Sequence, residues 1–393
     1  MTKVLILANK IPYPSKDGSS IAMARLLESL LEFPDLDITY GAINTVKHRK
    51  HLDDFPKDIK SKITLKDFKE DTSPNVGSGF FNLLFTNKPY NATRFLVYSM
   101  REWLHTFDDS HFDVIIIEGA FMGYYLPIAK VKGKKVVIRT HNLEHIIWER
   151  TALNMGDSLR RLYLKIQSNR LKNFEEKITQ IADVIWSISP VDAVWFKALN
   201  SNTYHVPVAV EPAEPLQEVA PMRCFHLGAL DWKPNLIGLQ WFLKEVWPKV
   251  LAVRPQAEFH IAGNNTPGHI KTNEAKNIFV HGRVPSAEAF VFSHGISVIP
   301  LLSGSGIRIK LLENGKMGIP IISTRIGAEG IYDDQYPLIP LSDFPADFAK
   351  KLVILLDDPK GALELGKSIR TDILSRFGFE KSIQMIKDAW PQL

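Results

Sequence analysis

The stretch Val298-Ile-Pro-Leu-Leu-Ser-Gly-Ser-Gly-Ile-Arg-Ile-Lys-Leu-Leu-Glu-Asn-Gly-Lys-Met-Gly-Ile-Pro-Ile-Ile-Ser323 reveals the fold class of this chain. An apolar run ends at Pro300, and the loop Ser303-Gly304-Ser305-Gly306 follows. A short predicted helix then carries Arg308, Lys310 and Glu313, and a second apolar run, 319–323, leaves it. In a parallel α/β sheet this order places free backbone amides and a helix N-terminus at the carboxyl edge of a strand, where phosphorylated ligands bind. Two cations and one carboxylate there suit a diphosphate and a vicinal diol. Gly315 inside the helix costs about 1 kcal/mol against alanine, which predicts close packing at that point.

The same alternation extends outward in both directions. Predicted strands cover residues 4–8, 38–43, 114–117, 135–140, 184–187 and 204–208, then 224–227, 258–261, 278–280, 296–299 and 319–323. Near-continuous apolar strands spaced by helices predict parallel sheets covered on both faces. Between Val206 and Met222 the chain turns Pro- and Glu-rich (Pro207, Glu211, Pro212, Glu214, Pro215, Glu218, Pro221), which reads as a linker between two domains.

At 393 residues with 45% hydrophobic content, the chain has ample apolar material for two cores. Its single cysteine, Cys224, lies in an apolar run and reads as a buried small hydrophobe. Such sparing cysteine use fits a reducing compartment. The apolar run 4–8 is too short for a signal peptide, and no stretch reaches the roughly 20 apolar residues of a spanning helix. Glu118 interrupts the best candidate. The expectation is a cytoplasmic protein, or one peripheral to the inner membrane face. The net charge of +5 is mild, but basic residues cluster at Lys47–Lys69 and again at Arg160, Arg161, Lys165, Arg170 and Lys172. Solvated surface is the simpler reading; attraction to an anionic acceptor or leaflet is the alternative. No nucleic-acid motif accompanies the charge.

Several further loops follow predicted strands. Lys16-Asp17-Gly18-Ser19-Ser20 precedes an amphipathic helix, 21–31, which Ser19 or Ser20 is expected to cap. Gly-x-Gly-x-x-Gly occurs nowhere and no Walker sequence is present, which argues against nicotinamide, flavin and P-loop chemistry. His141-Asn142-Leu143-Glu144-His145 matches a zinc motif as a string. That motif needs both histidines on one helical face, whereas Asn142 is expected to cap a helix that holds His145 and excludes His141. His141 reads instead as a group at a strand's carboxyl end, donating to a sugar hydroxyl or lying near a reacting carbon; a histidine satisfied by loop backbone is the alternative. In the second half, Gly228 allows close approach to a ligand, Asn235 is expected to cap, and Trp232 either packs, the simpler reading, or covers the site. Arg283, after another strand, is placed to reach a base edge.

With these residues in hand, the chain resembles family 4 glycosyltransferases of the GT-B fold. The resemblance runs almost end to end: Pro12-x-Pro14 with Gly18-Ser19, His141-Asn142-x-Glu144, Ser187-x-Ser189, and Gly228-x-Leu230 with Pro234-Asn235. It continues through residues 303–313, Gly318-x-Pro320 and Gly327-x-Glu329-Gly330. It implies an α/β protein of two Rossmann-like domains with parallel sheets facing a central cleft. The acceptor-side domain would be 1–207, the linker 208–221 and the donor-side domain 222–376, with a C-terminal helix, 379–393, packing back on the first domain. Two departures stand out. The family pattern has two glutamates separated by seven residues; Glu313 fits the second, but Ser305 occupies the first. Of the family's Arg/Lys pair after the first donor-domain strand, only Lys233 is nearby.

The resemblance implies a retaining transfer of a hexose from a nucleotide-diphosphate sugar to a sugar or lipid-linked saccharide, with no metal and no cofactor beyond the co-substrate. His141, Arg308 and Lys310 are the expected catalytic residues. Gly18, Ser19, Gly228, Lys233, Arg283, Ser305, Gly306, Ile307 and Glu313 are the expected donor contacts. Two alternatives remain open. A GT-B epimerase or hydrolase needs paired acidic residues that the sequence does not reveal, and a non-catalytic sugar-nucleotide-binding protein is compatible with Ser305.

Overall fold

The apolar runs become the inner strands of two parallel sheets in the computed structural model, which describes residues 1–15, 17–46 and 49–391. Lys16 and Lys47, which belong to the first loop and the first basic cluster of the sequence reading, lie outside the described residues. The chain divides into two units: Met1–Ala152, Asp157–Ala209 and Phe379–Leu393 in one, Leu153–Gly156 and Val210–Gly378 in the other.

The first unit is built on β1 (Thr2–Ala8), β2 (Leu36–Thr45), β3 (Ile63–Glu70), β4 (Phe112–Glu118), β5 (Gly133–Thr140), β6 (Val184–Ser187) and β7 (Thr203–His205), in the order β3-β2-β1-β4-β5-β6-β7. Successive side chains of β1 enter opposite cores, Val4 and Ile6 one and Leu5 and Leu7 the other, each fully buried. Burial of such a side chain contributes about 1.5–3 kcal/mol, so a strand apolar on both faces is stable only between two helical layers. The chain runs outward from β1 through β2 and β3, then returns to β4 on the other side of β1. The carboxyl ends of β1 and β4 therefore form a topological switch point.

The second unit repeats this plan with β8 (Arg223–Leu227), β9 (Glu258–Ala262), β10 (Ile278–Gly282), β11 (Ile296–Ile299) and β12 (Ile321–Ser323), in the order β10-β9-β8-β11-β12. Its switch point lies between β8 and β11. The helix Ile309–Lys316 packs against Pro359–Phe377, and a Cβ at Gly315 would lie 2.8 Å from Ile373. That contact is the reason for a glycine in the helix.

The terminal helix Phe379–Ala389 packs within the first unit, where Ile386 and Ala389 join the core and the Trp186 indole donates to the Ala389 carbonyl at 3.1 Å. Two features depart from the sequence reading. β3 arises inside the Lys47–Lys69 basic run and pairs with β2 from Ile38↔Ile63 to Thr45↔Glu70. The Pro/Glu-rich segment is no free linker, because Leu216 and Val219 are buried in the core of the second unit and the Leu216 amide donates to the Met317 carbonyl at 2.7 Å.

Candidate functional site

At the β8/β11 switch point three groups converge. β8 ends at Leu227, and a Cβ added to Gly228 would lie 2.9 Å from both the Lys310 Nζ and the Asn235 Nδ2. Lys310 donates to the Asn235 Oδ1 at 2.8 Å, and the Asn235 Nδ2 donates to the Ala229 carbonyl at 2.8 Å. Asn235 is therefore not the helix cap expected from sequence. Trp232 holds the cap position of Lys233–Trp241, and the Asn235 side chain instead bridges the β8 loop to Lys310. Burial, then the charge of Arg308, pulls the Lys310 ammonium down to about 7. Among the described residues no carboxylate pairs with this ammonium, so the site favours an anion that would restore its charge.

The loop after β11 is shaped by its own backbone. Gly306 has φ +76°, the left-handed region that suits glycine, and Ser303, Ser305 and Ile307 are buried. The side chains of Ser305 and Ile307 are thus turned away from solvent. Arg308 is the N-cap residue of Ile309–Lys316 and only 4% exposed. Its guanidinium donates to the carbonyls of Ser305 and, at 3.2 Å, Ile326, and lies 3.6 Å from Glu329. In this structure Arg308 clamps the loop onto Ile326 and Glu329, a scaffolding contact that Lys310 does not make. Glu313 pairs with Lys316 at 2.6 Å and stays part-exposed. Lys233 opens its helix and is exposed, as is Arg283 beyond β10. Trp232 is 37% exposed and not packed into the core.

In the first unit the strand ends gather a second polar group. Glu118 closes β4 and is 1% exposed. Arg139, near the end of β5, donates to it at 3.2 Å, and His141 Nε2 lies 2.6 Å from its Oε2. Burial pushes the Glu118 carboxyl up, but Arg139 and His141 outweigh it and hold it below the usual range. Burial likewise holds the His141 imidazole below its ordinary value against the opposing pull of Glu118, so the ring is neutral near pH 7. An ionised carboxylate only accepts, so Nε2 carries the proton and Nδ1 keeps a lone pair. His141 is therefore poised to accept a hydrogen bond through Nδ1, the reverse of the donation expected from sequence. Sequence reasoning passed over Glu118 except as a break in an apolar run. A lone carboxylate ending Val-Ile-Ile-Ile was the available signal.

The helix after His141 is Glu144–Leu153, so His141 lies outside the helix that holds His145. Its cap comes from Glu175 and not from Asn142: the Glu175 carboxylate accepts from the amides of Glu144 and His145 at 2.9 and 3.0 Å, and from His145 Nδ1 at 2.7 Å. The two histidines thus address different carboxylates. Burial and the Glu175 charge push Glu144 up to about 8, so it keeps its proton near neutrality. At the first helix the cap is Asp17, which accepts from the Ser20 amide at 3.0 Å, whereas Gly18 and Ser19 are the first helical residues. Ser19 and Ser20 therefore do not cap.

Residues 221–358 match the family model for glycosyl transferases group 1. An uncharacterized 44.6 kDa protein in the cps region of Klebsiella pneumoniae is 20% identical, over 98% of this chain and 99% of that protein. Among solved structures, TarM superposes with a TM-score of 0.71 at 11% identity, covering 100% of this chain and 99% of TarM. Anabaena HepE in complex with UDP-glucose gives 0.63 at 12% identity, covering 99% of each chain. Sucrose-phosphate synthase from Thermosynechococcus elongatus gives 0.64 at 13% identity, covering 99% of this chain and 98% of the synthase. The fold is GT-B.

Proposed function

We propose that the chain is a retaining glycosyltransferase that moves a hexose from a nucleotide-diphosphate sugar to a saccharide or lipid-linked saccharide. The observation that carries this reading is the convergence of Gly228, Asn235 and Lys310 at the β8/β11 switch point, inside the segment that matches glycosyl transferases group 1. A diphosphate laid on Gly228 meets Lys310 and the amides of the 303–308 loop, and Glu313 takes the ribose diol. The barrier to transfer is separation of an oxocarbenium-like sugar from a departing diphosphate. Fixed positive charge where that negative charge grows lowers the barrier. Arg308 contributes through its field and by holding the loop. The departing phosphate oxygen takes the acceptor proton, so no separate general base is needed in the step. In the first unit, Nδ1 of neutral His141 accepts from a sugar hydroxyl while Glu118 fixes the ring.

A lipid-linked acceptor gains support from the helix Val76–Phe85, on which Phe80, Phe81, Leu84 and Phe85 are between 58% and 69% exposed. Arg170 donates to the Leu83 carbonyl at 2.9 Å and ties this helix to Ser158–Ile181, which also exposes Arg160, Arg161, Lys165 and Lys172. Apolar and cationic side chains together suit an anionic membrane surface. Among the described residues no helix is long and apolar enough to cross a membrane. Incubation with a panel of nucleotide sugars and saccharide acceptors tests the function. Glycoside product is the expected result, whereas an epimerised donor, or free nucleotide and sugar alone, supports the epimerase or hydrolase class.

A further inference from the structure

Three histidines unused in the proposed transfer meet on the second sheet. His260 lies in β9, His281 in β10, and His294 ends the helix Ala287–His294. One ligand nitrogen from each falls within 4.8 Å of the other two. His260 Nδ1 is 3.0 Å from His281 Nε2, and the rings of His260 and His294 are 4.0 Å apart. His281 is the extra residue of a β-bulge, since Val280 pairs with Ile261 and Gly282 with Ala262. Bulges re-aim side chains and are over-represented beside functional sites.

Two of the remaining ring nitrogens are held from outside the cluster. His294 Nδ1 lies 2.6 Å from the Phe290 carbonyl, an obligate acceptor, so this nitrogen carries the proton and Nε2 keeps its lone pair. His260 Nε2 lies 3.2 Å from the Glu258 carboxylate, which leaves Nδ1 as the lone-pair nitrogen facing His281. Metal-binding imidazoles have this outer support, one nitrogen on the ion and the other on a carboxylate or carbonyl. In the metal-free chain His281 Nε2 donates to the His260 Nδ1 lone pair across 3.0 Å, and metal binding would shift its proton to Nδ1; the stack of Phe279 on His260 does not account for the convergence of three ring nitrogens.

We propose that His260 Nδ1, His281 Nε2 and His294 Nε2 bind one divalent transition-metal ion of the kind that prefers imidazole, such as zinc. A tetrahedral ion with metal–nitrogen bonds of about 2.0–2.1 Å separates its ligand atoms by about 3.3 Å, close to the spacing already present between His260 and His281. His260 and His294 are 7% and 9% exposed while His281 is exposed, so the fourth position opens to water on the His281 side. The ion ties β9, β10 and the helix Ala287–His294 together and takes no part in the transfer.

Titration of the metal-free full chain with zinc chloride, followed by calorimetry, tests the site; cobalt chloride reports geometry by absorption. One zinc per chain, tetrahedral cobalt bands and a raised Tm are expected. His281→Ala, at an exposed position, should keep the metal-free Tm and weaken zinc binding at least tenfold. His269→Ala, a change at another exposed histidine, should leave binding unchanged. Absence of stoichiometric uptake, or uptake equal in wild type and His281→Ala, overturns the proposal. Nucleotide binding is measured separately and its failure would not bear on this site.

Discussion

Burial, reinforced by the charge of Arg308, pulls Lys310 down to about 7, and this makes ligand binding proton-linked. A bound diphosphate favours the ammonium and raises its pKa. Affinity is then full below pH 7 and declines as pH rises from about 7 toward the raised value of the complex. Calorimetry at pH 8 in buffers of different ionisation enthalpy should register proton uptake on binding, and Lys310→Ala should abolish that uptake. Arg308→Ala should behave differently: the loop loses its clamp on Ile326 and Glu329, so stability falls together with affinity. At the other switch point, Glu118→Gln leaves the buried Arg139 guanidinium without its counter-charge. Unfolding by urea should show a loss of about 3–5 kcal/mol, the cost of an uncompensated buried charge. His141→Ala should lower turnover strongly while nucleotide affinity stays near normal; equal losses of both would refute the role given to this ring. The types and positions of Lys310 and His141 were legible in sequence because both follow apolar strands. The direction of the His141 hydrogen bond was not, because it depends on Glu118, 23 residues earlier in the chain.

Close backbone approach links the elements around the proposed donor site. A Cβ on Gly238 would lie 2.2 Å from the Pro300 carbonyl, so the helix Lys233–Trp241 rests directly on the start of the loop after β11. Alanine ordinarily gains about 1 kcal/mol over glycine inside a helix. Here Gly238→Ala should instead destabilise, by roughly 1–3 kcal/mol as overpacking does, and weaken nucleotide binding by moving the loop. Denaturant titration alongside nucleotide calorimetry checks both effects. The strands that frame this site were legible because a strand buried on both faces is a continuous apolar run. β3 was not, since this edge strand alternates Ile63, Leu65 and Asp67 with Thr64, Lys66 and Phe68 amid charged neighbours, and pairing with β2 supplies the order that composition hides. The cap of Glu144–Leu153 escaped for a similar reason. Asn142 satisfies a local rule, but Glu175 reaches the same amides from a different helix.

Taken as a whole, the chain joins two switch points of similar topology, one with a buried carboxylate–histidine pair and one with a cation on a glycine-lined strand end. The exposed apolar face of Val76–Phe85 carries the proposed membrane contact. Vesicles with anionic lipid should co-sediment the wild-type chain, and Phe80→Ser with Phe81→Ser should release it without changing the Tm, since both side chains are largely exposed. The proposed transfer depends most on nucleotide binding at Lys310 and Glu313. Calorimetric titration of nucleoside diphosphates into wild type, Lys310→Ala and Glu313→Ala tests it directly. One nucleoside diphosphate should bind wild type with unit stoichiometry. Lys310→Ala and Glu313→Ala, each folded by circular dichroism, should each weaken it at least tenfold, as expected for lost charge-assisted contacts of roughly 1.5–3 kcal/mol. Wild-type affinity retained in both variants, or no binding of any nucleoside diphosphate, would contradict the assignment.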